Sequence, residues 1–227
     1  MKKYAILLWL LSCTGFLTAD QKVDNLKKEV LFFQPHLHGW CSKEKALNFI
    51  DLILEVKPKL CVEIGVFGGS SIYPVAATLK SIGQGVVFGI DPWDKFECIR
   101  YFDPNEDAAD LNWWGQVNLS YIYDSYLNML KGHGLDTICI TKKTTSELAV
   151  RDFLDGSIDI LYIDGNHCEM VSANDVILYL PKVRHGGYIW MNDTLWEQTQ
   201  HSVDLLLEAC DVVKTIDNGN CILFRKR

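Results

Sequence analysis

The 227-residue sequence has no C-x-x-C pair, no internal repeat and no low-complexity tract. Basic residues are its scarcer charge, 22 Lys and Arg against 29 Asp and Glu. Each shortage removes a class. Without paired cysteines there is no spacing that reads as a zinc site. The eight cysteines are scattered singly, and setting aside Cys13 leaves seven, an odd number that argues against a complete disulfide framework. A formal net charge of −7 supplies no general phosphate-neutralising surface. Nucleic acid is therefore excluded as a partner, and a small neutral or cationic molecule fits better. With 48% hydrophobic and 22% charged residues, the chain is not disordered, collagen-like or coiled coil.

The N-terminal segment stands apart. Lys2 and Lys3 precede an apolar run from Tyr4 to about Ala19, broken by Ser12, Thr14, Gly15 and Thr18. That is a signal-like layout, shorter than the roughly 20 residues a stable spanning helix needs, with tilt and local thinning leaving room for one. Three readings stay open for residues 1–19: a leader cleaved after Ala19, a lipoprotein box ending at Leu11-Ser12-Cys13 with Cys13 lipidated, and an uncleaved anchor giving membrane association. Removing Lys2 and Lys3 with a leader takes the net charge from −7 to −9.

The remaining roughly 200 residues suit one large domain. Residues 20–42 read as a helix, Val23, Leu26, Val30 and Phe33 at helical spacing, followed by a connector broken at Pro35 and Gly39. From 43 onward a helix capped by Ser42 runs to Pro58, and then short apolar runs alternate with helices. The runs are 60–64, 86–90, 137–140, 158–163, 187–191, 212–216 and 221–224. The helices between them fall at about 70–82, 116–131, 146–154, 168–180 and 196–209. Runs apolar at successive residues are strands buried on both faces, the mark of a doubly wound, parallel α/β sheet. Asn218-Gly219 turns tightly enough to bring the seventh strand back antiparallel. Residues 92–136 are longer than a crossover requires and rich in aromatics, which suits an extra helix hairpin packed on the sheet or a lid over a pocket. The five histidines at 36, 38, 133, 185 and 201 show no pairing and read as surface residues.

Chemistry gathers at the carboxyl ends of these strands, the edge where open α/β sheets bind ligands. Glu63-Ile64-Gly65-Val66-Phe67-Gly68-Gly69-Ser70-Ser71 leads from the first strand through glycines into a helix, where a ligand can approach the backbone closely. Phe67 breaks the G-x-G-x-x-G spacing, and there is no phosphate-binding lysine, so pyrophosphate cofactors are disfavoured. Asp91 closes the second strand, where a carboxylate can accept both hydroxyls of a ribose. Turn and acid together point to an adenosine-containing ligand. After the fourth and fifth strands come Asp164-Gly165-Asn166-His167 and Asn192-Asp193. Asp164, Asn192 and Asp193 would supply three hard oxygen ligands, suited to Mg²⁺, Mn²⁺ or Ca²⁺ rather than zinc. Asp193 also suits a helix cap, and Asp164 a turn. His167, three residues beyond Asp164, has the chemistry of a general base. Ser146, opening a helix after the third strand, can either serve that helix start or meet an adenine ring.

The stretches Val62 to Ser71, Gly89-Ile90-Asp91-Pro92-Trp93, Ile163 to His167 and Gly186-Gly187-Tyr188-Ile189 together resemble class I S-adenosylmethionine-dependent methyltransferases. The nearest resemblance is to the small bacterial O-methyltransferases of antibiotic sugars, related to catechol O-methyltransferase, and it covers about residues 43–225. The resemblance implies a Rossmann-like seven-stranded sheet in the order 3-2-1-4-5-7-6. It implies S-adenosylmethionine held by the Glu63 to Gly69 turn, with Gly65, Phe67 and Ser71 at the methionine end, Asp91 on the ribose, and Ser146 and Trp93 flanking adenine. It further implies Mg²⁺ or another divalent cation on Asp164, Asn192 and Asp193, and His167 in the place of the base. The expected reaction is O-methylation of a small sugar or phenol. The leader points outward while this cofactor is kept in the cytosol, which suggests a second reading: an exported or membrane-attached binding protein on the same scaffold, without turnover. A nicotinamide-dependent oxidoreductase ranks third, since Phe67 spoils its glycine pattern.

Overall fold

The computed structural model describes residues 18–227. The leader readings, Cys13 included, rest almost wholly on residues outside that range. No helix among the described residues is long and apolar enough to cross a membrane.

Two helices, α1 (Ala19–Phe33) and α2 (Lys43–Val56), precede the sheet. Thr18 caps α1 in a capping box with Gln21, and Leu26 and Val30 on its apolar stripe are buried in the same core as α2. The alternating part follows as β1 (Leu60–Ile64), α3 (Ile72–Ile82), β2 (Val86–Asp91), α4 (Lys95–Cys98), α5 (Ala108–Gln116), α6 (Leu119–Gly132), β3 (Cys139–Lys143), α7 (Ser146–Ala149), β4 (Ile158–Ile163), α8 (Glu169–Tyr179), β5 (Val183–Asn192), α9 (Gln200–Ala209), β6 (Cys210–Ile216) and β7 (Cys221–Lys226). The strands lie in the order β3-β2-β1-β4-β5-β7-β6. β1 to β5 pair in parallel, and β7 runs antiparallel between β5 and β6. The central strands are mostly apolar, Glu63 of β1 and Asp159 of β4 excepted, because each face is covered, by α2, α3 and α6 on one side and α8 and α9 on the other.

The long stretch between β2 and β3 resolves into three helices of unequal status. α6 is the crossover, burying Leu119, Ile122, Tyr126, Met129 and Leu130. α5 has no fully buried residue: Leu111 and Trp114, at helical spacing, are only half-buried, a stripe too short to stand out in the sequence. The helix expected over 146–154 is cut to one turn, α7, with a 3₁₀ turn to Asp152 behind it. All seven described cysteines are free, and Cys61, Cys139 and Cys221 are buried strand residues. His36, His38, His185 and His201 are exposed as expected, but His133 packs between the rings of Phe33 and Tyr73, 4.7 and 4.9 Å away.

Candidate active site

The parallel pairing brings the ends of β2, β1, β4 and β5 to one edge in that order, so Asp91, Gly65, Asp164 and Asn192-Asp193 stand along a single cleft. Gly65 turns the chain at φ +84°, and its N–H donates to Ile90 O at 2.9 Å. The Asp91 carboxylate ties this turn to β2: Oδ2 accepts from Val66 N (3.1 Å) and Phe67 N (2.9 Å), and Oδ1 from Trp93 N (2.7 Å). Burial raises its pKa even against those three amides. Glu63 is almost fully buried. Its Oε1 accepts from Ser71 Oγ at 2.5 Å, while Oε2 has no partner. Burial holds this carboxyl well above its ordinary pKa, against the hydrogen bond from Ser71.

Phe67 sits at φ +50° beside an aromatic group over the turn, stacked on Trp40 at 5.2 Å and within 6.1 Å of Trp113 and Trp114. Trp40 is 65% exposed and comes from the N-terminal connector, which makes that segment part of the site. Trp93 is 5% exposed, its Nε1 donates to Phe67 O (2.7 Å), and its ring stacks inward on Tyr126. It therefore anchors the turn from below.

Beyond Trp93 the α4 segment meets the loop that follows β4. Asn166 Nδ2 donates to the carbonyls of Glu97 (3.0 Å), Cys98 (3.2 Å) and Arg100 (3.3 Å), and the Arg100 guanidinium pairs with Glu147 at 2.6 Å. Ser146, the first residue of α7, donates to Asp175 of α8. Asp175 is 2% exposed, and burial pushes its carboxyl up to about 7 despite that bond. A carboxyl raised in the fold favours folding in its protonated form, so its contribution is full below about pH 4 and is lost as pH rises through 7. Asp175→Asn stays neutral and still accepts from Ser146. Between pH 4 and pH 8 its unfolding free energy, from urea melts, should improve relative to the native chain by roughly 2 to 4 kcal/mol. A gap that stays constant with pH would show Asp175 to be ionised in the fold.

At the other end of the cleft, ligand atoms of Asp164, His167 and Asp193 lie within 4.8 Å of one another. His167 Nε2 is 3.0 Å from Asp193 Oδ2 and 3.9 Å from Asp164 Oδ1. The contact is an ion pair rather than an aligned hydrogen bond, for this buried nitrogen has no partner of hydrogen-bond geometry. Burial works to lower the His167 pKa, and the two carboxylates overcome it, raising the ring to about 9. Burial likewise opposes ionisation of Asp193, yet His167, Asn220 and Lys45 hold its carboxyl below the usual range. Asp164 Oδ2 accepts from Tyr162 Oη at 2.9 Å. The orphaned imidazole nitrogen aimed at two carboxylates fits a cation centre. Asn192 borders it: its Nδ2 donates to Asp164 Oδ1 (2.9 Å) and Asp193 Oδ2 (2.8 Å), and its oxygen faces Lys45. The oxygen donors are thus Asp164 and Asp193.

Lys45 and Asp175 were absent from the residues singled out in the sequence. Their signal was present: Lys45 lies on the stripe of α2 that holds Phe49 and Leu52, and Asp175 on that of α8 with Ser172 and Tyr179, all buried.

Residues 62–194, more than half of the chain, match the family model described as a methyltransferase domain. The chain belongs to that family. Its sheet order and glycine turn make this methyltransferase a class I, S-adenosylmethionine-dependent enzyme. An uncharacterized protein of Acanthamoeba polyphaga mimivirus is 28% identical to it over 179 residues, which is 78% of this chain and 68% of the viral one. Among solved structures, the O-methyltransferase NovP superposes with a TM-score of 0.62 at 17% identity, covering 82% of this chain and 80% of its own. An SAH-bound methyltransferase from Podospora anserina gives 0.58 at 13%, over 91% and 88%. The O-methyltransferase from Bacillus cereus in complex with SAH gives 0.60 at 12%, over 89% and 91%. These structural likenesses are of fold.

Proposed function

We propose that this methyltransferase carries the methyl group of S-adenosylmethionine to a hydroxyl of a small acceptor, a sugar or a phenol, with a divalent cation at Asp164 and Asp193. The observation that carries the reading is the Asp164, His167 and Asp193 group, set on the same sheet edge as the Gly65 turn. S-adenosylmethionine supplies a methyl already activated on a sulfonium sulfur. The unpartnered Glu63 Oε2 offers its ammonium group a counter-charge, and Ser71 holds the other carboxyl oxygen in place. Gly65 and Gly69, both at positive φ and packed where a Cβ would meet Asp164 and Tyr126, give the turn that holds the ligand its shape. Asp91, already fixed by three amides, keeps lone pairs for ribose hydroxyls. Ser146, held by Asp175, bounds the adenine end.

The acceptor lies between the acidic group and the aromatic rings of Trp40, Phe67 and Trp113, whose open faces can stack on a sugar or phenol. A divalent cation there, Mg²⁺ or a similar ion, would lower the pKa of the acceptor hydroxyl and draw off the negative charge that keeps His167 protonated. His167 then takes the hydroxyl proton at Nε2, and the sheet edge holds oxygen and methyl carbon in line. Titration calorimetry should show both S-adenosylmethionine and its demethylated product binding. A chain that binds neither is not this enzyme. EDTA should stop turnover and Mg²⁺ or Mn²⁺ restore it, whereas full activity in EDTA would remove the cation from the reading.

A further inference from the structure

Lys45 plays no part in the scheme above, yet its ammonium group ends inside the site. It stands in the first turn of α2, 4% exposed, with Nζ 2.9 Å from Asn192 Oδ1 and 3.7 Å from Asp217 Oδ2. Burying an ammonium group is costly unless its partners are held for it. Here they are. Ser42 Oγ accepts from Lys45 N (3.0 Å) and donates to Asp217 Oδ1 (2.6 Å), and Asp217 N donates to Glu44 Oε2 (3.1 Å). The start of α2 is thereby fastened to the turn between β6 and β7, and the lysine stem has a fixed origin.

The other end of the contact is an amide that, with no cation between the carboxylates, can be turned in only one way. Asn192 is 5% exposed, with its NH₂ between Asp164 and Asp193 and its oxygen on Lys45. Reversed, the oxygen would face two carboxylates and the NH₂ would face an ammonium, which leaves every contact repulsive. We propose that Lys45 is a positioning residue of the acceptor site: it fixes the Asn192 amide as a donor to Asp164 and Asp193, setting the spacing of those carboxylates and keeping the Asn192 oxygen off any cation between them. The positioning of Asn192 stands without a metal; the withheld oxygen rests on the metal-assisted reading.

Two measurements on the full chain separate these parts. The first is hydrogen exchange of the Asn192 side-chain NH₂ by NMR, its resonances assigned by their loss in Asn192→Ala. Lys45→Met should speed exchange at least about tenfold, because the amide loses the partner that stops it reversing, while α2 backbone amides keep their protection. Lys45→Arg should restore most of the protection. The second is Mn²⁺ binding followed by electron paramagnetic resonance. Lys45→Met should bind Mn²⁺ about tenfold more tightly, the scale on which groups behind a metal's ligands act, and the gain should shrink in the Asn192→Ala background. Unchanged Asn192 exchange in Lys45→Met overturns the proposal, as does a Mn²⁺ gain equally large without Asn192. If exchange responds but no form of the protein binds Mn²⁺, the metal-assisted reading fails and the withheld oxygen with it, while the positioning of Asn192 is upheld. Should Lys45→Met not fold by circular dichroism, Lys45→Gln takes its place with the same expected directions.

Discussion

Asp164→Ala should lower the methylation rate by about 10² to 10³, the scale seen when a preorganised polar group at a reacting oxygen is removed, and leave the affinity for S-adenosylmethionine within a few-fold. The asymmetry follows from where its atoms point. The main chain of Asp164 belongs to the cofactor side, its N–H donating to Ile64 O at 2.9 Å, and that bond survives the substitution. Its carboxylate belongs to the acceptor side, shared among Tyr162, Asn192 and His167. Removing it leaves the Tyr162 hydroxyl and one Asn192 donor without a partner, so a stability loss of about 1 to 3 kcal/mol is expected and folding is checked by circular dichroism. Asp164→Asn keeps the volume and should lose activity comparably, because the charge is what the acceptor site needs. His167→Gln offers an internal control: it should flatten the acidic limb of the pH–rate profile, where the native enzyme slows because His167 keeps its proton. Native turnover in Asp164→Asn would sink the acceptor site as drawn.

The sheet was legible because each central strand is covered on both faces, and a strand covered on both faces writes itself as an unbroken apolar run such as Ile160 to Ile163. Once the strand order is known, topology alone carries Asp91, Asp164 and Asp193 to one edge. The misreadings share a different cause. α5 has no fully buried side chain, and its apolar repeat, Leu111 and Trp114, is a single turn long. The directions of the Trp93 and Asn192 side chains could not be read, since a place in a loop or at a strand end does not fix what a side chain turns toward. The inward turn of Trp93 depends on Tyr126, 33 residues away, and the orientation of Asn192 on Lys45, 147 residues away. Such long-range partners leave no local trace. The lysine itself did leave one, as a charge on a buried stripe.

Gly65→Ala should destabilise the protein by about 3 kcal/mol or more and abolish cofactor binding, a combination that Gly83→Ala cannot reproduce. Both glycines sit at positive φ, +84° and +66°, so both alanines meet the left-handed backbone penalty of about 1 to 2 kcal/mol. They differ in what a Cβ would touch. At Gly83, past the end of α3, nothing lies within 4 Å. At Gly65 a Cβ would stand 2.8 Å from Gly165 Cα and closer still to the Asp164 carbonyl, both of them backbone that no rotamer change can clear. β1 and β4 would have to part at the edge where the cofactor turn and the acidic group adjoin, opening the Asp164 N–H bond to Ile64 as they do. Urea unfolding of the two variants, with calorimetry of S-adenosylhomocysteine binding, separates backbone strain from collision. Gly83→Ala should bind as the native chain does. Equal losses in the two variants would mean that the strand ends can yield around Gly65, and that the close approach of β1 to β4 is not what shapes the cofactor site.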